Sequence, residues 1–264
     1  MLSKLLKYEI RATARIFLPL YAVLLTISAV YSLISLISPR QWQAPQVISM
    51  IVYVMVLVGV FVMTLVMMIQ RFYKNLLSDE GYLMFTLPVE PWKHIIGKLL
   101  VSMMWVVFSV IAAAVSVCIV AYKEIFTVQF IEEMANGVKD ILSQFDISTT
   151  LFTLEGLLIC LIGLVSSVLI VYASIALGHL FNRHRILASL GAFIVLNTVT
   201  QILFVLAALP VQSFSAGDAV VRNFNTIEPI IHFTMWYIIV FFGLLSAGYF
   251  ILTNHILSKR LNLE

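Results

Sequence analysis

Five histidines, His94, His179, His184, His232 and His255, are the first places to look for catalysis or metal ligation. None belongs to an HExxH pair. His179 and His184 are five residues apart, a spacing that does not place two ligands on one helix face. The adjacent acids Glu132 and Glu133 would suit hydrolysis inside a membrane, but they fall outside every apolar run. No G-x-S-x-G elbow is present. The Gly97-Lys98 pair is followed by Leu99, and Trp92 occupies the position where a P-loop needs its first glycine. The chain is therefore expected neither to hydrolyse ATP by itself nor to hold a metal or another cofactor of its own. Cys118 and Cys160 lie inside apolar runs and read as two buried thiols, too few for a disulfide framework or a zinc site.

Polar side chains within apolar runs are the remaining chemical signal. Asn197, Thr198, Thr200 and Gln201 sit together, and Asn197 and Gln201 share a helix face at i, i+4. They are candidates for contact with a transported molecule, although interhelical hydrogen bonding is the commoner use. Gly163/Ser167, Ser174/Gly178 and Gly243/Ala247 repeat small residues at four-residue spacing, which allows helices to approach closely.

The elements that carry these residues follow from composition. Of 264 residues, 62% are apolar and 11% charged, against about half and a quarter in a soluble domain. The mean hydropathy is +1.05. An outer-membrane barrel is excluded, because alternating strands dilute apolar content. Nothing points to nucleic-acid binding, because no basic patch stands apart from a membrane flank. A spanning helix needs about 20 apolar residues. Six runs qualify: 16–37, 47–69, 99–121, 157–180, 186–209 and 233–252. The backbone has no other partner in lipid, so the expected fold class is all-α, a single transmembrane domain of about six helices. The first run lacks a cleavage site and is read as a retained span.

Lysine and arginine set the orientation. Twelve of the 16 fall on one side of these spans with five acids, which gives +7; the other side has four basic and eight acidic residues, which gives −4. The basic side, with both termini, is placed in the cytoplasm. Residues 1–15 place Leu2, Leu5, Leu6, Ile10 and Thr13 at helical spacing with Lys4, Lys7 and Arg11 between them. That pattern predicts an interfacial amphipathic helix, with Pro19 bending the chain into the first span. On the outer side, residues 123–153 repeat Ile131, Met134, Ala135, Val138, Ile141, Leu142 and Phe145 at three and four, a further amphipathic helix. A second outer connection, 210–232, has turn signals at Ser215-Ala216-Gly217-Asp218 and Glu228-Pro229.

The cytoplasmic connection, 71–95, is the most informative segment. Ser78 is an N-cap candidate, and Asp79 and Glu80 suit a first turn. Gly81, Tyr82, Leu83, Met84 and Phe85 continue a short helix, which Pro88 stops. Exposed aromatic side chains in cytosol point to burial, either against the chain's own spans or, the sharper reading, against a separate cytosolic partner. Lys93 and Lys98 oppose the dipole of the next helix, and lipid phosphate is their expected partner.

The run Ser78-Asp79-Glu80-Gly81-Tyr82-Leu83-Met84-Phe85-Thr86-Leu87-Pro88-Val89, followed by Trp92-Lys93-His94-Ile95-Ile96-Gly97-Lys98, resembles the loop of bacterial ABC type-2 permeases. Ala173-Ser174-Ile175-Ala176-Leu177-Gly178-His179-Leu180 and the tail from Leu257 to Glu264 are also similar to that family. The resemblance covers nearly the whole chain. It implies a membrane subunit whose coupling helix, between spans two and three, docks on a separate cytoplasmic ATPase. ATP and Mg would be bound by that partner. It further implies two membrane subunits, identical or related, per transporter. An exporter of amphiphiles such as peptides, drugs or lipids is the expected function. A self-contained secondary transporter or channel is the rival, and it would need ionisable residues at mid-bilayer or broken helices.

Overall fold

The computed structural model describes residues 2–37, 44–77, 90–121, 128–144, 148–181, 184–215 and 227–259. Among these described residues the regular elements are seven α-helices: α1 Leu2–Ile37, α2 Ala44–Leu77, α3 Pro91–Val120, α4 Val128–Gln144, α5 Thr149–Gly178, α6 Arg185–Ser215 and α7 Ile227–Lys259. All but α4 contain a stretch long and apolar enough to cross a membrane, from 24 to 31 residues. At 1.5 Å per residue even 24 residues reach about 36 Å, beyond the hydrocarbon thickness of about 30 Å. The chain is an all-α, multi-pass membrane protein.

Each spanning helix is longer than its apolar run, because a helix continues past the hydrocarbon into its polar flank. The N-terminal amphipathic segment is helical, as its spacing predicts, but it is continuous with the first span. Pro19 lies inside α1, where it costs a hydrogen bond without ending the helix. Similarly, α6 runs through Pro210 to Ser215, and Pro229 falls in the first turn of α7, where a missing N–H is tolerated. The connection expected over 210–232 is thus shorter than its turn signals imply. Within the amphipathic stretch 123–153, residues 128–144 form α4, with Glu132, Glu133, Lys139 and Asp140 exposed. The segment from Ser78 to Pro88 lies outside the described residues.

The helices form two compact units. The first comprises Met1–Phe72 and Lys93–Met134, and the second Tyr73–Trp92 and Ala135–Glu264. In the first unit, Phe17, Met67, Val101 and Trp105 form a buried core, on which Leu6, Ile10 and Ala14 of the amphipathic segment also pack. Part of the stripe assigned to the lipid headgroups therefore serves the unit's own core. Phe17 stacks on Trp105 with centroids 4.4 Å apart. A second cluster of Leu24, Tyr53 and Val60 continues the packing. In the second unit, α5 packs against both α6 and α7. The α7 side of that core repeats Ile239, Ser246, Tyr249, Thr253 and Ile256 at helical spacing. Within lipid such packing supplies dispersion and interhelical hydrogen bonds, since the hydrophobic effect is already satisfied.

Candidate functional site

The best-built polar site lies in the first unit, where α1, α2 and α3 present their basic ends. The Lys98 ammonium donates to Glu9 Oε1 at 2.7 Å, and its side chain is only 7% exposed. Arg71 Nη1 lies 3.7 Å from Glu9 Oε2. One carboxylate therefore meets cations from both helices that flank residues 78–89. A buried ammonium requires such a partner. This overturns the assignment of Lys98 to lipid phosphate: α1 brings a carboxylate to it first. Beside the cluster is a small cavity of about 20 Å³, lined by Thr13, Thr64, Arg71, Lys98, Ser102 and Trp105 among others. It has room for about one water.

From this node a polar seam follows α3 through Lys98, Ser102, Trp105, Ser109 and Ser116, at steps of three, four and seven residues. Eighteen residues of helix make it about 27 Å long. The Trp105 indole N–H donates to Thr13 Oγ1 at 2.7 Å, and the Thr13 hydroxyl donates to the Glu9 carbonyl at 2.8 Å. Thr64 donates to the Val60 carbonyl at 2.7 Å, so it accepts from Ser109 at 2.8 Å. That leaves Ser109 to accept from Tyr21 at 2.8 Å. Ser116 donates to the Ala113 carbonyl and accepts from Tyr53 at 3.0 Å. These groups satisfy one another across helices, the arrangement that holds membrane helices in register.

In the second unit, the end carrying His179 and Arg185 is a tight hairpin. The His179 N–H donates to the Ile175 carbonyl at 3.1 Å and closes α5, and the next two N–H groups bond the Leu177 and Gly178 carbonyls. A Cβ on Gly178 would fall 2.5 Å from the backbone nitrogen and 2.6 Å from the Cα of Ser189. Glycine is needed here for space. The His179 imidazole lies 5.2 Å from the Tyr73 ring, centroid to centroid, tilted by 50°. At the opposite end of this unit, His232 Nδ1 meets Glu155 Oε2 at 2.7 Å, with the Glu155 side chain 4% exposed.

The sequence candidates fare unevenly. Asn197 donates its amide to the Phe193 carbonyl of its own helix at 2.9 Å, and Gln201 is exposed. An interhelical bond of α6 is instead one in which Thr200, whose own hydroxyl donates to the Leu196 carbonyl, accepts from the Tyr249 hydroxyl. A Cβ on Gly163 or Gly243 would have nothing within 4 Å, so of the three small-residue pairs Ser174/Gly178 is the one where a helix closes in. Cys118 is half-buried and Cys160 exposed, not two buried thiols, because α5 turns Cys160 away from the unit. Among the described residues no three His, Cys, Asp or Glu side chains are grouped to hold a metal ion. Ser78, Asp79, Glu80, Gly81, Tyr82, Leu83, Phe85 and Pro88 lie outside the described residues. Comparisons with family models, characterised proteins and solved structures found no match. The geometry above is therefore the basis for function.

Glu9 and its cations were missed because nothing local joins them. The available signal was the seam on α3, whose polar residues keep helical spacing inside an apolar run.

Burial holds the His179 imidazole below the ordinary histidine range, and the neighbouring Arg185 guanidinium adds to the effect. The folded state thus resists a proton that the unfolded chain accepts. Stability should be intact above about pH 6.5 and decline as pH falls through the lowered folded value. A thermal midpoint measured in detergent across this window should fall on the acid side. His179→Phe should lessen that fall; an unchanged acid loss would assign it to other groups.

Proposed function

We propose that this chain is the membrane-spanning subunit of an ATP-driven exporter of the ABC type-2 permease class, energised by a separate cytoplasmic ATPase. The observation that carries the reading is the node at the base of residues 78–89: Glu9 binds Arg71 on one stem and Lys98 on the other. A connection whose stems share a buried ionic anchor is suited to passing force into the spans. The resemblance of residues 78–98 to the family's coupling loop supports the same reading, as do the six spans and the asymmetry of charge. On this reading the basic ends face the cytoplasm of a bacterial cell, as do both termini. Two such subunits, alike or related, flank a path for amphiphiles such as peptides, drugs or lipids. ATP and Mg belong to the partner. The polar seam of the first unit is closed on itself by interhelical bonds, so it does not favour a self-contained transporter or channel.

The test is at the connection. Tyr82 and Phe85 act as anchors in the ATPase, and a buried aromatic anchor contributes about 2 kcal/mol or more. Tyr82→Asp combined with Phe85→Asp should weaken binding of the purified ATPase at least about tenfold, since about 1.4 kcal/mol is a factor of ten. Insertion and the thermal midpoint should be unchanged. A double variant that folds and binds the ATPase normally would remove the coupling assignment. Ile131→Ala with Phe145→Ala is the control and should leave binding intact.

A further inference from the structure

The segment proposed to meet the ATPase emerges from α2, and Tyr73 lies four residues before the end of α2. That residue belongs to the second unit, where its half-buried ring lies 5.2 Å from the imidazole of His179. His179 closes α5, and one residue earlier Gly178 rests against the backbone of Ser189 in α6. A displacement at His179 therefore acts on both helices of the hairpin, because no side chain cushions that crossing. The imidazole Nε2 is buried without a hydrogen-bond partner. Burial and Arg185 both keep the ring neutral, so it meets Tyr73 as an uncharged aromatic plate. Fixing an imidazole with an unused nitrogen costs free energy, which a purely packing role would avoid with an apolar side chain.

We propose that His179 is a positioning residue for coupling: its ring contact with Tyr73 passes movement of the 78–89 segment to the α5–α6 hairpin. This rests on the reading of the chain as an ATPase-driven permease. A coupling element needs a physical contact that both states bias, and the tilted Tyr73–His179 ring pair at 5.2 Å is such a contact. It adds a second input to the one at Glu9, which acts within the first unit.

The experiment uses the full chain in lipid nanodiscs with the cytoplasmic ABC ATPase that co-purifies with it from its native membrane. Three quantities are read: ATPase binding, the stimulation of ATP hydrolysis by the membrane subunit, and the thermal midpoint. His179→Ala and Tyr73→Ala should each lower stimulation by about two- to thirtyfold, the range of coupling effects seen along such contacts, with ATPase binding unchanged. His179→Phe and Tyr73→Phe keep a ring and should restore stimulation. A purely structural role would lower the midpoint in both alanine variants while leaving stimulation per bound ATPase unchanged, and that result overturns the proposal. Normal stimulation in a folded His179→Ala variant overturns it as well. Absence of ATPase binding by the wild-type chain would instead overturn the permease reading, and this inference with it.

Discussion

Replacing Glu9 with alanine should destabilise the first unit by about 3 kcal/mol, the scale expected when one partner of a buried pair is removed. The loss comes from what is left behind. Lys98 keeps a charge on a side chain that is 7% exposed, and both Lys98 and Arg71 lose the carboxylate they share. Glu9→Gln retains a hydrogen-bond acceptor but no charge, and should fall between wild type and alanine. The decisive comparison is Glu9→Ala with Lys98→Met. Methionine fills the lysine's path without a charge, so the double variant should recover most of the loss. Thermal unfolding in detergent micelles reads all four proteins. Equal midpoints for the single and double variants would show that packing of α1, and not the lost charge pairing at Lys98, is the source. The hydroxyl seam should survive, because Thr13 bonds the Glu9 backbone carbonyl and not its side chain.

Gly178→Ala should destabilise by about 1–3 kcal/mol, the usual cost of forcing extra atoms into a packed contact. The sign is informative. Gly178 ends a helix, and alanine is favoured over glycine within helices by about 1 kcal/mol, so propensity alone predicts a gain. Contact predicts a loss, because the new methyl meets the backbone of Ser189, which cannot rotate away. Gly163→Ala and Gly243→Ala are the matched controls. Neither has a neighbour within 4 Å, so each should be neutral or gain up to about 1 kcal/mol. Measured under one detergent condition, the three substitutions should separate into one loss and two non-losses. A gain at Gly178 would mean that the hairpin opens at no cost, which would also weaken the case for its transmitting movement from His179.

Those two positions mark the boundary between what was legible in the chain and what was not. The helices and their membrane role follow from the sequence alone. Apolar runs of about 20 residues must satisfy their own backbone in lipid, and only a helix does so within one segment. Helical spacing likewise disclosed the amphipathic character of residues 1–15 and of α4. Periodicity, however, tells which face of a helix is distinctive and not which neighbour will meet it. Glu9 and Lys98 are 89 positions apart, and no local pattern pairs them; the packing of α1 against α3 does. For the same reason three small-residue pairs looked alike in sequence, yet only the one at Gly178 faces a neighbouring backbone. Asn197 and Gln201 stood out as polar residues in an apolar run, but the side chain that crosses to α7 is Thr200, because helix rotation is set by packing on α5 and α7. In lipid the hydrophobic driving force does not distinguish one apolar face from another, so close packing and matched polar groups choose the partners, and these exist only once the helices have met.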